Sequence, residues 1–139
     1  MKAITIMQPW ASLIAVGAKT IETRSWKTNY RGPIAIHASA RMNSEGKRLI
    51  KESEWLTLSG YTVKPCIPLG CVIATTDLVD CCTTEHLRRR IIDVREFRLG
   101  NFNAGRYGWI LENVRPLTVP VPAKGNLGIW EWDEKGLQL

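Results

Sequence analysis

The tightest constraint on the fold is a change of period at Gly17. Across MQPWASLIAV, Trp10, Leu13 and Ile14 recur with Gly17 at helical spacing. Pro9 suits the first helical turn, where its missing N–H would go unpaired anyway, and Gly17 suits the position just past the helix end. From Thr20 onward the period is two, with Thr20, Glu22, Arg24 and Trp26 alternating against Ile21, Thr23 and Ser25. A short helix must therefore pass directly into a strand. Glu22 and Arg24 then project from one side of that strand, and Lys19 sits in the connecting turn.

The remaining pattern is of short strands with helices between them. Residues 2–6 alternate as a strand, Tyr30-Arg31-Gly32-Pro33 reads as a turn, and residues 34–40 form a strand with His37 and Ser39 opposite Ile34 and Ile36. Asn43 or Ser44 caps a helix running to about Leu56, with Leu49 and Ile50 inward and Lys47, Arg48 and Lys51 outward. A strand over 70–79 precedes a helix capped by Thr83 or Thr84 and carrying Arg88, Arg89 and Arg90. The Gly- and Asn-rich loop LGNFNAGRYG follows, then strands over 107–117 and 127–132. Five or six strands with interspersed helices predict an α+β fold around a curved sheet or small barrel. At 139 residues, with 45% hydrophobic and 23% charged residues, the chain is expected to be one globular domain over 1–139.

Nineteen lysines and arginines against thirteen acidic residues give a net charge of +6, which draws polyanions. No apolar run reaches the roughly 18 residues of a membrane span. The N-terminus enters a strand with no signal-peptide core, so a cytoplasmic protein is expected. Cys66, Cys71, Cys81 and Cys82 form no CxxC pair and His37 and His86 stand far apart. We therefore expect reduced thiols, no metal and no cofactor.

Four blocks in order, MQPWASLIAVGAKTIETRSW, YRGPIAIHASA, GRYGWILENVRPL and KGNLGIWEW, resemble the ASCH domain family of the PUA-like superfamily. Its G-x-K-x-x-E-x-R signature is matched by Gly17, Lys19, Glu22 and Arg24, and the resemblance runs from Ile4 to Trp132. It implies a PUA-like small β-barrel of five or six strands with flanking helices and a charged groove lined by the signature residues. For function it implies RNA binding, or transcription coactivation as a domain of larger proteins, so RNA or a modified nucleotide is the expected partner, with DNA as an alternative. In some branches it implies RNA cleavage or hydrolysis of an acylated cytidine.

The chemistry of the signature agrees with a nucleotide-sized ligand. The Lys19 ammonium is a point charge suited to phosphate, and the Arg24 guanidinium is a planar fork for a phosphate or a base edge. Glu22 accepts from a base amine or a ribose hydroxyl, or holds its two cationic neighbours in place. Trp10 and Trp26 flank the signature and are the stacking candidates, whereas Trp109 and Trp130 alternate with isoleucines as core residues do. His37 and Ser39 share a strand that the resemblance puts near the groove. Lys124 precedes Gly125, where a backbone N–H can approach a phosphate closely. Lys47, Arg48, Lys51 and part of the Arg88-Arg89-Arg90 run broaden the positive surface.

A catalytic alternative uses the same residues. Lys19 with Glu22 or His37 suits a metal-independent ribonuclease. In the amidohydrolase branch, as the resemblance implies, a lysine and a threonine of the signature act with a downstream glutamate. Lys19 matches the lysine, Glu22 stands where the threonine would be, and Glu85 is the glutamate the sequence offers.

Overall fold

The structure, a computed structural model, describes residues 1–51, 67–90 and 93–136. In chain order the elements are β1 (Lys2–Ile6), α1 (Trp10–Ala15), β2 (Ile21–Arg24), β3 (Gly32–Ala38), α2 (Ser44–Lys51), β4 (Cys71–Thr83), α3 (Thr84–Arg89), α4 (Val94–Leu99), β5 (Tyr107–Pro122) and β6 (Ile129–Glu131). A 3-10 turn follows at Glu134–Gly136. Among the described residues no helix is long and apolar enough to cross a membrane.

The six strands form one sheet in the order β2-β5-β4-β3-β1-β6, antiparallel except for the parallel β1–β3 pair. It curls into a half-barrel with flanking helices, an α+β architecture of the predicted kind. The curl has a local cause. β4 and β5 pair along nearly their whole length with three register shifts, and each bulge adds bend and twist to the ribbon.

Helix α1 packs inside the curl against β3, β4 and β5. Ile14 shares the main core with Ile4, Ile6, Ile34, Ile36, Leu78 and Trp109, while Leu13 belongs to a second cluster with Ala18 and Leu99. Each such aliphatic side chain contributes about 1.5–3 kcal/mol when fully buried. The start of α1 is held by Gln8, whose Oε1 accepts from Ser12 N at 2.9 Å while its Nε2 donates to Ser12 Oγ and to the Pro68 carbonyl. At the other end Gly17 takes φ +82°, the left-handed conformation a Cβ would oppose, and the chain turns back. The amides of Ala18 and Lys19 then both donate to the Leu13 carbonyl. That turn fixes where the Lys19 side chain begins.

Several boundaries differ from the sequence reading. β4 continues to Thr83 rather than ending at 79, and β5 continues to Pro122 rather than 117, because the two strands support each other through the bulges. β6 is shorter than expected, and β3 begins at Gly32 inside the predicted turn. Asn43 caps α2, its Oδ1 accepting from Gly46 N at 2.7 Å, and Thr83 caps α3 by accepting from His86 N. The expected end of α2 near Leu56, and Cys66, lie outside the described residues. Helix α4, capped by Asp93, was not expected; six residues are too few to show a helical period.

Candidate functional site

A cleft of about 1420 Å³ opens beside α1 and the end of β2. Its walls come from β1, α1, the α1–β2 turn, β2, β3 and the segment after it, α2, α4 and the segment after it, and the loop over residues 123–128. Trp10, Lys19, Glu22, Arg24, Trp26, His37, Ser39 and Lys124, the eight residues singled out from the sequence, all line it. Lysine and arginine side chains (Lys19, Arg24, Arg41, Arg48, Arg98, Arg106 and Lys124) outnumber the carboxylates of Glu22 and Glu45 along these walls.

Lys19 is 2% exposed, and its Nζ donates to the Ile21 carbonyl at 2.5 Å. Burial pushes its ammonium pKa below the ordinary 10.5, outweighing the attraction of Glu22 and then of Glu96. Glu22, also buried, meets the guanidinium of Arg24 at 3.1 Å. The two carry side chains on one side of β2, as the period of two requires. The same Nη2 of Arg24 donates to the Thr5 carbonyl at 2.7 Å. β2 and β1 have three strands between them in the sheet, so this bond clasps the open side of the half-barrel. The Nε of Arg24 is buried without a partner.

Glu96 was missed by sequence reasoning. It is 6% exposed on α4, and its Oε1 accepts from both the backbone N and the hydroxyl of Thr20, while Oε2 is buried without a partner. A helix this short gives no periodic signal, and an acidic residue in a first turn reads as ordinary dipole compensation. Glu85, the glutamate the sequence offered, is elsewhere. Its Oε1 accepts from Gly105 N at 2.6 Å, a bond that holds its carboxyl below the usual range, and it does not line the cleft.

His37 is fully buried beneath the cleft. Its Nε2 lies 2.7 Å from the Ala123 carbonyl and its Nδ1 3.1 Å from Thr5 Oγ1, which also receives the indole N–H of Trp130. Every donor meets an acceptor when Nε2 carries the proton and Nδ1 accepts from the Thr5 hydroxyl. The ring therefore braces loop 123–128. Gly125 packs on it so closely that a Cβ would sit 2.7 Å from Thr5 Oγ1 and 2.8 Å from His37 Cε1.

Trp26 is 37% exposed at the cleft, supported edge-on by Trp109 with ring centroids 4.8 Å apart. Trp10 is half-buried and also packs into the core, and Ser39 Oγ accepts from Arg41 N. Lys47, Lys51 and the Arg88-Arg89-Arg90 run are exposed and do not line the cleft. Trp109 is buried in the main core, as its alternation predicted. Among the described residues no three of His, Cys, Asp and Glu gather so as to hold a metal ion.

Comparison with known proteins bears on this geometry. The ASCH domain profile matches residues 4–120. Activating signal cointegrator 1 from Homo sapiens and its counterpart from Mus musculus are each 31% identical over 134 residues, 95% of this chain. The chain spans 22% of the length of those two relatives. Among solved structures, an ASCH protein from Zymomonas mobilis aligns with a TM-score of 0.56 at 15% identity, covering 97% of this chain and 88% of that one. A mutant of the Zymomonas protein aligns at 0.51 and 16% identity, covering 87% and 74%. At such identities the likeness speaks for the fold alone.

Proposed function

The chain belongs to the ASCH domain family, and from that premise we propose that residues 1–139 act as a single cytoplasmic nucleic-acid-binding domain that takes single-stranded RNA along its basic cleft. The observation that carries this reading is the cleft itself. Pockets for one small ligand run to about 300–1,000 Å³, and this one, at about 1420 Å³, leaves room for neighbouring nucleotides. Its cationic walls suit the phosphates, and the half-exposed ring of Trp26 suits a base face. The part-exposed guanidinium of Arg24 beside the Glu22 carboxylate suits a donor and an acceptor for a base edge.

The test is a titration of labelled single-stranded RNA, and of DNA of the same sequence, at several salt concentrations. RNA is expected to bind more tightly than DNA, with affinity falling linearly in log–log form as salt rises. Absence of binding at low salt, or affinity indifferent to salt, would refute the reading.

A second reading is metal-independent hydrolysis of RNA or of an N-acylated cytidine. It is favoured by a buried lysine whose amine is made easier to deprotonate, with the half-satisfied Glu96 carboxylate within electrostatic reach. Incubation of wild type and Glu22→Gln with both substrates in chelator separates the readings. Binding predicts intact substrate in every reaction.

A further inference from the structure

Loop 123–128 joins β5 to β6, and all six of its residues line the cleft. Its base is rigid: His37 donates to the Ala123 carbonyl, Ala123 N donates to the Gly70 carbonyl at 3.1 Å, and Gly125 is pressed against His37 and Thr5. Just beyond it, Ile129 pairs with Ile4 in the sheet. From this braced loop Leu127 stands 99% exposed, the most exposed of the large apolar side chains among the described residues. A leucine there adds nothing to the core, and a loop tip tolerates any polar residue. Lys124 and Asn126 beside it are also exposed on the same cleft wall.

We propose that Leu127 is a wedge that enters between two adjacent bases of the bound strand and unstacks one of them toward Glu22 and Arg24. This rests on the nucleic-acid reading above and deepens it. An apolar side chain presented on a fixed backbone, next to cations that hold the phosphates, is the arrangement that opens a base step. The braced base lets the wedge push against the stack instead of folding away. The leucine thus supplies geometry rather than charge, and its loss leaves the electrostatic part of binding in place.

The experiment uses the full chain and a single-stranded RNA carrying 2-aminopurine between two purines, whose emission rises when it leaves the stack. Wild type is expected to raise the emission on saturation, and Leu127→Met to retain most of the rise. Leu127→Ala should abolish it while weakening affinity by about tenfold or less, equivalent to about 1.4 kcal/mol. The salt slope of Leu127→Ala should match wild type, whereas Lys124→Ala should lower the slope by about one while keeping the emission rise. Because Leu127 is fully exposed, its substitutions leave the fold intact, and unchanged melting temperatures check this. Saturable binding with the same emission rise in Leu127→Ala, or with none in wild type, overturns the wedge alone. No binding by wild type at low salt overturns the nucleic-acid reading and the wedge together.

Discussion

Arg24→Ala tests whether the signature arginine holds the fold as well as a ligand. The substitution removes the bond from Nη2 to the Thr5 carbonyl at 2.7 Å and the ion pair with Glu22 at 3.1 Å. The first is a charged donor on a neutral acceptor, about 1.5–3 kcal/mol. The second leaves a buried carboxylate short of one counter-charge, which for a fully stranded ion costs about 3–5 kcal/mol. Lys19 stays near Glu22 and Arg24 is itself partly exposed, so a loss of about 1 kcal/mol is the better figure. Against these stands one gain, because the buried Nε–H without a partner disappears, returning about 1–2 kcal/mol. The net expectation is a destabilisation of about 2 kcal/mol, which at this chain length lowers the melting temperature by roughly 6–8 °C. Urea unfolding of wild type, Arg24→Ala, Glu22→Gln and the double variant gives the coupling directly, expected at about 1 kcal/mol. A melting temperature within 2 °C of wild type, on the same scale, would refute the clasp and leave only the proposed ligand contact for Arg24.

Lys19→Met should change the pH dependence of stability. The folded pKa is lowered from 10.5, so above that lowered value the unfolded chain holds the proton more tightly. Wild-type stability then gains relative to Lys19→Met as pH rises toward 10.5, by urea midpoints across that range, and no relative gain would contradict the burial of the ammonium. Gly125→Ala should cost about 1–3 kcal/mol by forcing a Cβ against Thr5 and His37, measured by thermal unfolding, whereas a neutral effect would show that the loop is not pressed there. Trp26→Ala should weaken single-stranded RNA binding by about 1–3 kcal/mol with the salt slope unchanged, and an unaltered Kd would remove the stacking role. Treatment with a chelator should leave the melting temperature where it was, and one zinc per chain by elemental analysis would overturn the reading of the cysteines.

The parts legible in the sequence were those with a local physical signature. The helix ending at Gly17 and the strand after it are short-range facts of backbone conformation and alternation, so β1, α1 and β2 appear where the pattern put them. The Asn43 and Thr83 caps are local in the same way. Long-range pairing left no such trace. Nothing in residues 80–83 or 118–122 announces a strand, and Pro120 and Pro122 argue against one, yet β4 and β5 extend through both because each supplies the other's hydrogen bonds. His37 shows a subtler limit: alternation set it opposite Ile34 and Ile36 and the resemblance put its strand near the groove, but its partners Thr5, Ala123 and Trp130 lie up to 93 residues away and meet it only in the folded chain.

The Glu96 carboxylate shows why the spacing of the signature is what it is. Gly17 reverses the chain so that Lys19 begins beneath α1, and Ile21 then takes the Lys19 ammonium on its carbonyl. Glu22 and Arg24, two apart on one side of β2, engage each other, and Arg24 reaches Thr5 across the mouth of the half-barrel. What remains is the turn residue Thr20, whose amide and hydroxyl both go to Glu96 from a helix 76 residues further on. Each charged residue of the signature is thus tied to its neighbours before any ligand arrives, and the groups left over, Arg24 Nε and Glu96 Oε2, are unpaired in the protein. Burying such groups costs stability that a domain built only to fold would recover by replacing them with apolar residues. Of the two, Arg24 belongs to the signature and lines the cation-lined cleft, so its unpaired group is the one on which the proposed binding role bears.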